Sequence, residues 1–341
     1  MAATYYVDRD STGGGTGTTQ ALSGADCAYQ TLQEFVTARA GTLTESVTVY
    51  CCSADAAHTA DTTACTVTGF TTTEANYLEI ASLPAQRHAG VWSDTIYRLS
   101  VTDGSAITIN DEWVKITGMQ LKTNTTTGDG RNAISVTTVG TGTFWFSKNL
   151  IQCARSGGTN VRGINIADST ATAYIWNNIV YGSGTPTVGI RQYNQAATYT
   201  YNNTVSGFTN GMEAPTTGTV TAINNLFSGN TNASNGAGTY AAGTGYNATD
   251  LSTMNYTVTG GSVGDRLSQT FSFVGAGDFH LTSTDGGARD YGTTNPGSGL
   301  YSDDVDGATR TGTWDIGADE YTAGGGPAPS NVIFPRGRLR W

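Results

Sequence analysis

Apolar and polar residues alternate in short runs along most of the chain, and Gly, Asn, Thr or Asp ends each run. Val47-Thr-Val-Tyr, Val114-Lys-Ile-Thr and Phe144-Trp-Phe-Ser are examples. A period of two in β-branched and aromatic residues predicts strands, and the punctuating residues predict turns between them. The first such run spans residues 4–10, and a Gly/Thr loop follows it through Gly17. One segment has a different period. Tyr29, Leu32, Phe35, Val36 and Ala40 fall on one face of a helical wheel, which predicts a helix over 26–40 with Asp26 as its N-cap.

The strands repeat. Tyr174-Ile-Trp-Asn-Asn-Ile-Val-Tyr-Gly182, Tyr199-Thr-Tyr-Asn-Asn-Thr-Val-Ser-Gly207 and Thr221-Ala-Ile-Asn-Asn-Leu-Phe-Ser-Gly229 align residue for residue. Phe144-Trp-Phe-Ser-Lys-Asn149 and Val114-Lys-Ile-Thr-Gly118 are earlier copies. A second series runs in phase with the first: Ala133-Ile-Ser-Val, Gly163-Ile-Asn-Ile, Gly189-Ile-Arg-Gln and Gly211-Met-Glu-Ala. A repeat of roughly 20–50 residues built only from strands and turns indicates a solenoid or a propeller. Each step here holds two or three strands, too few for a propeller blade. The predicted fold is therefore all-β: a right-handed parallel β-helix, with coils stacked about 4.8 Å apart, an N-terminal capping helix and an extended C-terminal tail. The recurring Asn149, Asn178, Asn203 and Asn225 are expected to be structural. Asn tolerates the left-handed bend between two sheets, and its amide can reach the Asn one coil away.

Composition narrows the classes. The 341 residues include 45 Gly without a collagen period, only 13% charged residues, and no apolar run near the roughly 18 that a membrane helix needs. All 27 acids and 14 of the 17 bases lie in residues 1–320, so that body carries −13, while the last 21 residues carry +3. An acidic body repels phosphate, so nucleic acid is not an expected partner, and neither is a membrane. The opening residues MAATYYVDRD lack a basic and apolar leader, and the expected site of synthesis is a cytosol. The cysteines (Cys27, Cys51, Cys52, Cys65, Cys153) are odd in number and match no zinc spacing. Cys51 and Cys52 are expected on opposite faces of a strand, one of them buried, with Cys52–Cys65 as a candidate disulfide.

Two stretches carry a resemblance. Tyr5-Tyr-Val-Asp8, Gly13-Gly-Gly-Thr-Gly17 and Tyr29-Gln-Thr-Leu32 resemble the opening of right-handed parallel β-helix proteins. Asp278-Phe-His-Leu-Thr-Ser, Gly286-Gly-Ala-Arg-Asp-Tyr-Gly292, Asp304-Val-Asp-Gly307 and Asp315-Ile-Gly-Ala-Asp-Glu320 resemble a closing module of that pectate-lyase-like superfamily. The resemblance covers roughly residues 4–321 and implies the fold. It is shared by polysaccharide lyases and hydrolases, bacterial surface proteins, and phage tailspikes, fibres and capsid decorations. The expected division is residues 1–43 as strand and capping helix, 44–285 as coils, 286–322 as a closing segment, and 323–341 as linker and docking tail.

Candidate chemistry is sparse. Glycoside hydrolysis needs two carboxylates about 5–10 Å apart, and the best-phased region, 133–230, holds only Asp168 and Glu213 as acids. No catalytic residue is assigned. Acids gather around Asp55, Asp61, Glu74 and Glu79, with His58 nearby, and again between Asp303 and Glu320. There Asp304 and Asp306 are a candidate calcium pair, set against a turn closed by Arg310 with Asp315 or Glu320. No other cofactor is expected. His58, His88 and His280 lie far apart in sequence, and His280 is expected to face solvent. Trp176, Tyr199 and Tyr201 are candidate glycan contacts if they point outward, although inward aromatic ladders are the favoured placement.

After a Gly/Pro linker, Val332, Ile333, Phe334, Arg336, Arg338, Arg340 and Trp341 form an apolar and basic arm suited to docking on a partner's sheet edge. The expected function is a non-enzymatic virion component, exposed on the particle exterior. It would be a head decoration, fibre or tailspike-like protein, held by this arm to capsid or tail subunits. A homotrimer and a host polysaccharide are further candidate partners. The alternatives are a polysaccharide lyase or glycosidase of the same fold, and a bacterial surface adhesin.

Overall fold

The computed structural model describes residues 2–323 except 138–139, 168–169, 194–196, 215–217 and 237. Asp168 and the whole docking arm lie outside the described residues.

Strands recur three to a coil and stack in parallel. Among the described residues, one long sheet holds nine strands, from Ala3–Asp8 to Thr239–Tyr240. The second sheet runs from Leu99–Thr102 to Ala248–Thr249 and the third from Cys65–Val67 to Asn232–Asn235, with seven strands each. A single coil reads Thr143–Ser147, Leu150–Arg155, Arg162–Ile166, after which Thr172–Trp176 begins the next. This is the right-handed parallel β-helix that the repeats predict. No helix among the described residues is long and apolar enough to cross a membrane.

Register explains why the alternation works. Val49, Ile80, Ile116, Phe146, Ile175, Thr200 and Ala222 lie one above another and face the interior of the solenoid. Leu121, Ile151, Val180, Val205 and Phe227 do the same on the second sheet. All of these except Thr200 belong to, or pack with, one continuous buried apolar cluster. A stack of like side chains removes apolar area from water coil after coil, at about 25 cal/mol per Å².

The helix is shorter than its wheel predicts, Leu32–Arg39, and Thr31 rather than Asp26 caps it, accepting from the Glu34 N–H at 3.0 Å. The reason is upstream. Tyr29 is already committed to a parallel bridge with Val7, so residues before Thr31 stay extended. Asp26 instead accepts from the Thr16 hydroxyl. The helix still sits over the first coil, with Phe35 against Tyr5 and Phe70.

All five cysteines are buried and free, so the candidate Cys52–Cys65 disulfide is not formed. Both Cys51 and Cys52 are buried, not one of the two. The Cys52 thiol turns to the Val7 carbonyl, and burial pushes its pKa to about 12. Cys65 lies on a different sheet.

Past residue 249 the coils give way to isolated bridges, and Phe273–Gly275 pairs with Asp278–Leu281 as an antiparallel hairpin. The chain from here to residue 322 does not extend the stack. It folds back along the outside of the second sheet. Leu150, Ile179, Leu226 and Ala248 face outward there, and Val305, Ala318, Leu281, Ala288 and Ile316 cover them. We call residues 270–322 the clasp.

Candidate functional site

The Asn pairs divide two jobs between them. The second member points inward. Asn149 donates its backbone N–H and its Nδ2 to Oδ1 of Asn178, at 3.0 and 2.9 Å. Asn178 does the same to Asn203, Asn203 to Asn225, and Asn225 to Asn247. Each Nδ2 also donates to a carbonyl of the coil before, such as Ile175 O for Asn203 at 2.8 Å. The five side chains are fully buried. Asp265 ends the ladder, accepting from the Asn247 N–H at 3.0 Å. Asn247 and Asp265 escape sequence alignment because Tyr246 and Gly264 replace the first Asn there. Their signal is backbone: both neighbours have positive φ, like the first Asn elsewhere.

The first member points outward and receives the clasp. Asn177, Asn202 and Asn224 have φ of 53°, 49° and 60°. Asn177 donates to Asp303 O, Asn202 to Asp315 O and Gly317 O, and Asn224 to Thr293 O. Thus a residue pair that reads as a single structural ladder is an inner ladder and an outer docking rail.

Arg310 locks the clasp. Its guanidinium is buried, pairs with Glu320 Oε2 at 3.1 Å, and donates to Asn177 Oδ1 and to the carbonyls of Asp303, Gly317 and Ala318. Asp315 is near but offers its carbonyl; its carboxylate instead accepts from Asp290 and Tyr321 N–H groups. Burial pushes Asp315 up to about 6, against those two bonds.

The clasp edge and the long sheet enclose a groove of about 590 Å³, lined by Thr117, Ser147, Lys148, Trp176, Tyr301 and Asp303 among others. Thr117, Ser147 and Trp176 occupy one outward column on successive coils. The aromatics therefore face outward, not inward as the favoured placement had it. Their fates differ. Trp176 stacks on Tyr301 of the clasp with centroids 6.1 Å apart and stays half-buried in the groove. Tyr201 is covered by Tyr301 and Trp314 and is only 6% exposed, which leaves it no face for a glycan. Tyr199 stacks on Tyr174 at 4.9 Å, in the neighbouring column. Among the described residues Asp303 is the one carboxylate lining the groove, and it is ion-paired with Lys148. The Lys148 carbonyl accepts from His88 Nε2 at 2.8 Å, while His88 Nδ1 accepts from Gly90 N–H. Burial, with Arg87 nearby, lowers His88 to about 4 and keeps it neutral, consistent with that hydrogen-bond pattern.

The other candidate acids are mostly occupied in building the fold. Asp61 is fully buried and accepts from Leu32 N–H, Thr63 N–H and the Tyr97 hydroxyl, tying the helix to the first coils. Asp304 spends both oxygens on the N–H groups of Asp306, Ala308 and Glu320. Asp306 is instead bound to His280. That histidine, expected to face solvent, is 9% exposed and held between Asp278 and Asp306, because the hairpin turns it under the clasp. Burial would lower its pKa, but Asp306, Asp319 and Asp278 outweigh this and raise it to about 10.

No protein-family model matches the chain, and no curated protein matches it. Among solved structures, a crystal structure of pectate lyase Pel9A is similar to it at 10% identity and a TM-score of 0.43, covering 94% of this chain and 97% of that one.

Proposed function

We propose that this chain is a glycan-binding β-helix on the exterior of a virion, holding its ligand in the groove between the long sheet and the clasp. The observation that carries the reading is the groove's lining. One half-buried indole wall, hydroxyls from Thr117 and Ser147, and a Lys–Asp pair converge in a cleft. Apolar ring plus a few placed polar groups is what a sugar, with one apolar face and an equatorial rim of hydroxyls, requires. A single carboxylate, already paired with a lysine, lacks the partner that hydrolysis by paired acids needs. This supports binding over hydrolysis. Placement on a virion rests on sequence: an acidic repeat body followed, after a Gly/Pro-rich linker, by an apolar and basic arm.

On an array of bacterial surface polysaccharides, the chain is expected to bind at least one, and Trp176→Ala to weaken that binding tenfold or more. Tyr174→Ala, outside the groove, is expected to change it little. New reducing ends or unsaturated products on the bound polysaccharide would replace the binding reading with an enzymatic one. Deletion of 331–341 is expected to abolish incorporation into particles; normal incorporation would remove the arm's anchoring role.

A further inference from the structure

We propose that the clasp contains a binding site for one divalent transition-metal ion of the Zn²⁺ or Mn²⁺ class, with His280, Asp306 and Asp319 as ligands. The three come from separate pieces of chain: the hairpin strand Asp278–Leu281, the turn after Asp304, and the segment before Glu320. Sequence spacing could not join them. In the fold, one ligand atom from each lies within 4.8 Å of the other two.

The surroundings are those of a ligand set held in place. Asp278 Oδ1 meets His280 Nδ1 at 2.5 Å, which fixes the ring and aims Nε2 at Asp306. A carboxylate behind the histidine, on the nitrogen away from the ion, is the usual device for orienting a metal-bound imidazole. Leu281 N–H donates to Asp319 Oδ2 at 2.7 Å, which steadies that carboxylate and leaves its other oxygen for the ion. Asp306 Oδ1 is a buried atom without a hydrogen-bond partner. The ring also needs room. A Cβ on Gly90 would stand 2.5 Å from His280 Cε1, so only glycine leaves space for the imidazole.

Charge and access agree with an ion. Asp278, Asp306 and Asp319 set carboxylate oxygens around the His280 imidazole, a donor-rich cluster that suits a divalent cation. The cluster lines a cleft of about 540 Å³ with Thr282, Ser283 and Tyr321, so solvent can supply the remaining coordination position. The donor set decides the class. An imidazole nitrogen with carboxylates suits Zn²⁺ or Mn²⁺, whereas Ca²⁺ takes oxygen donors. On binding, the ion takes the Nε2 lone pair, and the proton that Nε2 shares with Asp306 leaves to solvent.

The test uses the full chain, stripped with EDTA and titrated with Co²⁺ as a spectroscopic stand-in for Zn²⁺. One equivalent is expected to bind, to raise the thermal midpoint, and to shift the His280 ring resonances paramagnetically. His280→Gln and Asp319→Asn are expected to lose at least a hundredfold in affinity. Asp278→Asn is expected to lose ten- to a hundredfold while keeping the stoichiometry. Asp129→Asn, a change at an exposed acid elsewhere, should match the wild type. Absence of saturable one-to-one binding, or binding that leaves the His280 resonances unmoved, overturns the site. The resonance measurement needs no variant, so a misfolded His280→Gln chain does not blunt the test.

Discussion

Asn203→Leu is expected to lower the unfolding free energy by roughly 2–5 kcal/mol, although Leu is apolar and of similar volume. The Asn203 amide accepts from the Asn178 backbone N–H and Nδ2, and donates to Ile175 O and Asn225 Oδ1. Leu removes all four bonds. The Asn178 N–H and the Ile175 carbonyl lose these partners in an interior that water does not reach, and a buried orphan costs about 1–3 kcal/mol. Because the ladder is continuous, one gap also ends the mutual polarisation of the amides on either side. Urea unfolding followed by tryptophan fluorescence measures the loss, and amide exchange at Asn178 locates it. A loss below about 1 kcal/mol would mean that the apolar columns carry the stack and the ladder is incidental.

Arg310→Met is expected to cost about 3–5 kcal/mol, and to cost it locally. The guanidinium fills a socket made of Glu320, Asn177 and clasp carbonyls, with no exposed side-chain surface. Methionine leaves the Glu320 carboxylate buried without its counter-charge. Hydrogen exchange should rise across residues 286–322 while the coils stay protected. Arg310→Lys is expected to recover little, since an ammonium cannot serve acceptors spread around a planar fork. Adding Glu320→Gln to Arg310→Met is expected to recover part of the loss by removing the unpaired charge. Uniform loosening of clasp and coils together would show that the two do not separate energetically.

Why the sequence disclosed some of this and not the rest follows from particular residues. The Asn pairs stand out because each coil repeats the same local conformation, and identical needs at successive coils select identical residues. Leu150-Ile151, Ile179-Val180 and Leu226-Phe227 carry a further message. Two adjacent apolar residues on a strand face opposite ways, so both sheet faces must be covered, one by the core and one by something else. What covers the outer face lies as far as 155 positions away, as Lys148 and Asp303 do. The helix starts later than its wheel predicts for the same kind of reason: the bridge between Val7 and Tyr29 overrides a sound local capping signal.

By itself, then, the chain's periodicity determined the coil, its parallel stacking and its buried asparagine column, because these depend on neighbours one repeat away. Only the tertiary structure decided that residues 270–322 lie along the solenoid and not across its end. It alone turned Trp176 into a groove wall while it buried Tyr201, and brought His280 to Asp306 and Asp319. Those outcomes depend on where a non-repeating segment comes to rest. That is settled by matching one apolar face and one row of amides to another, and no local period encodes it.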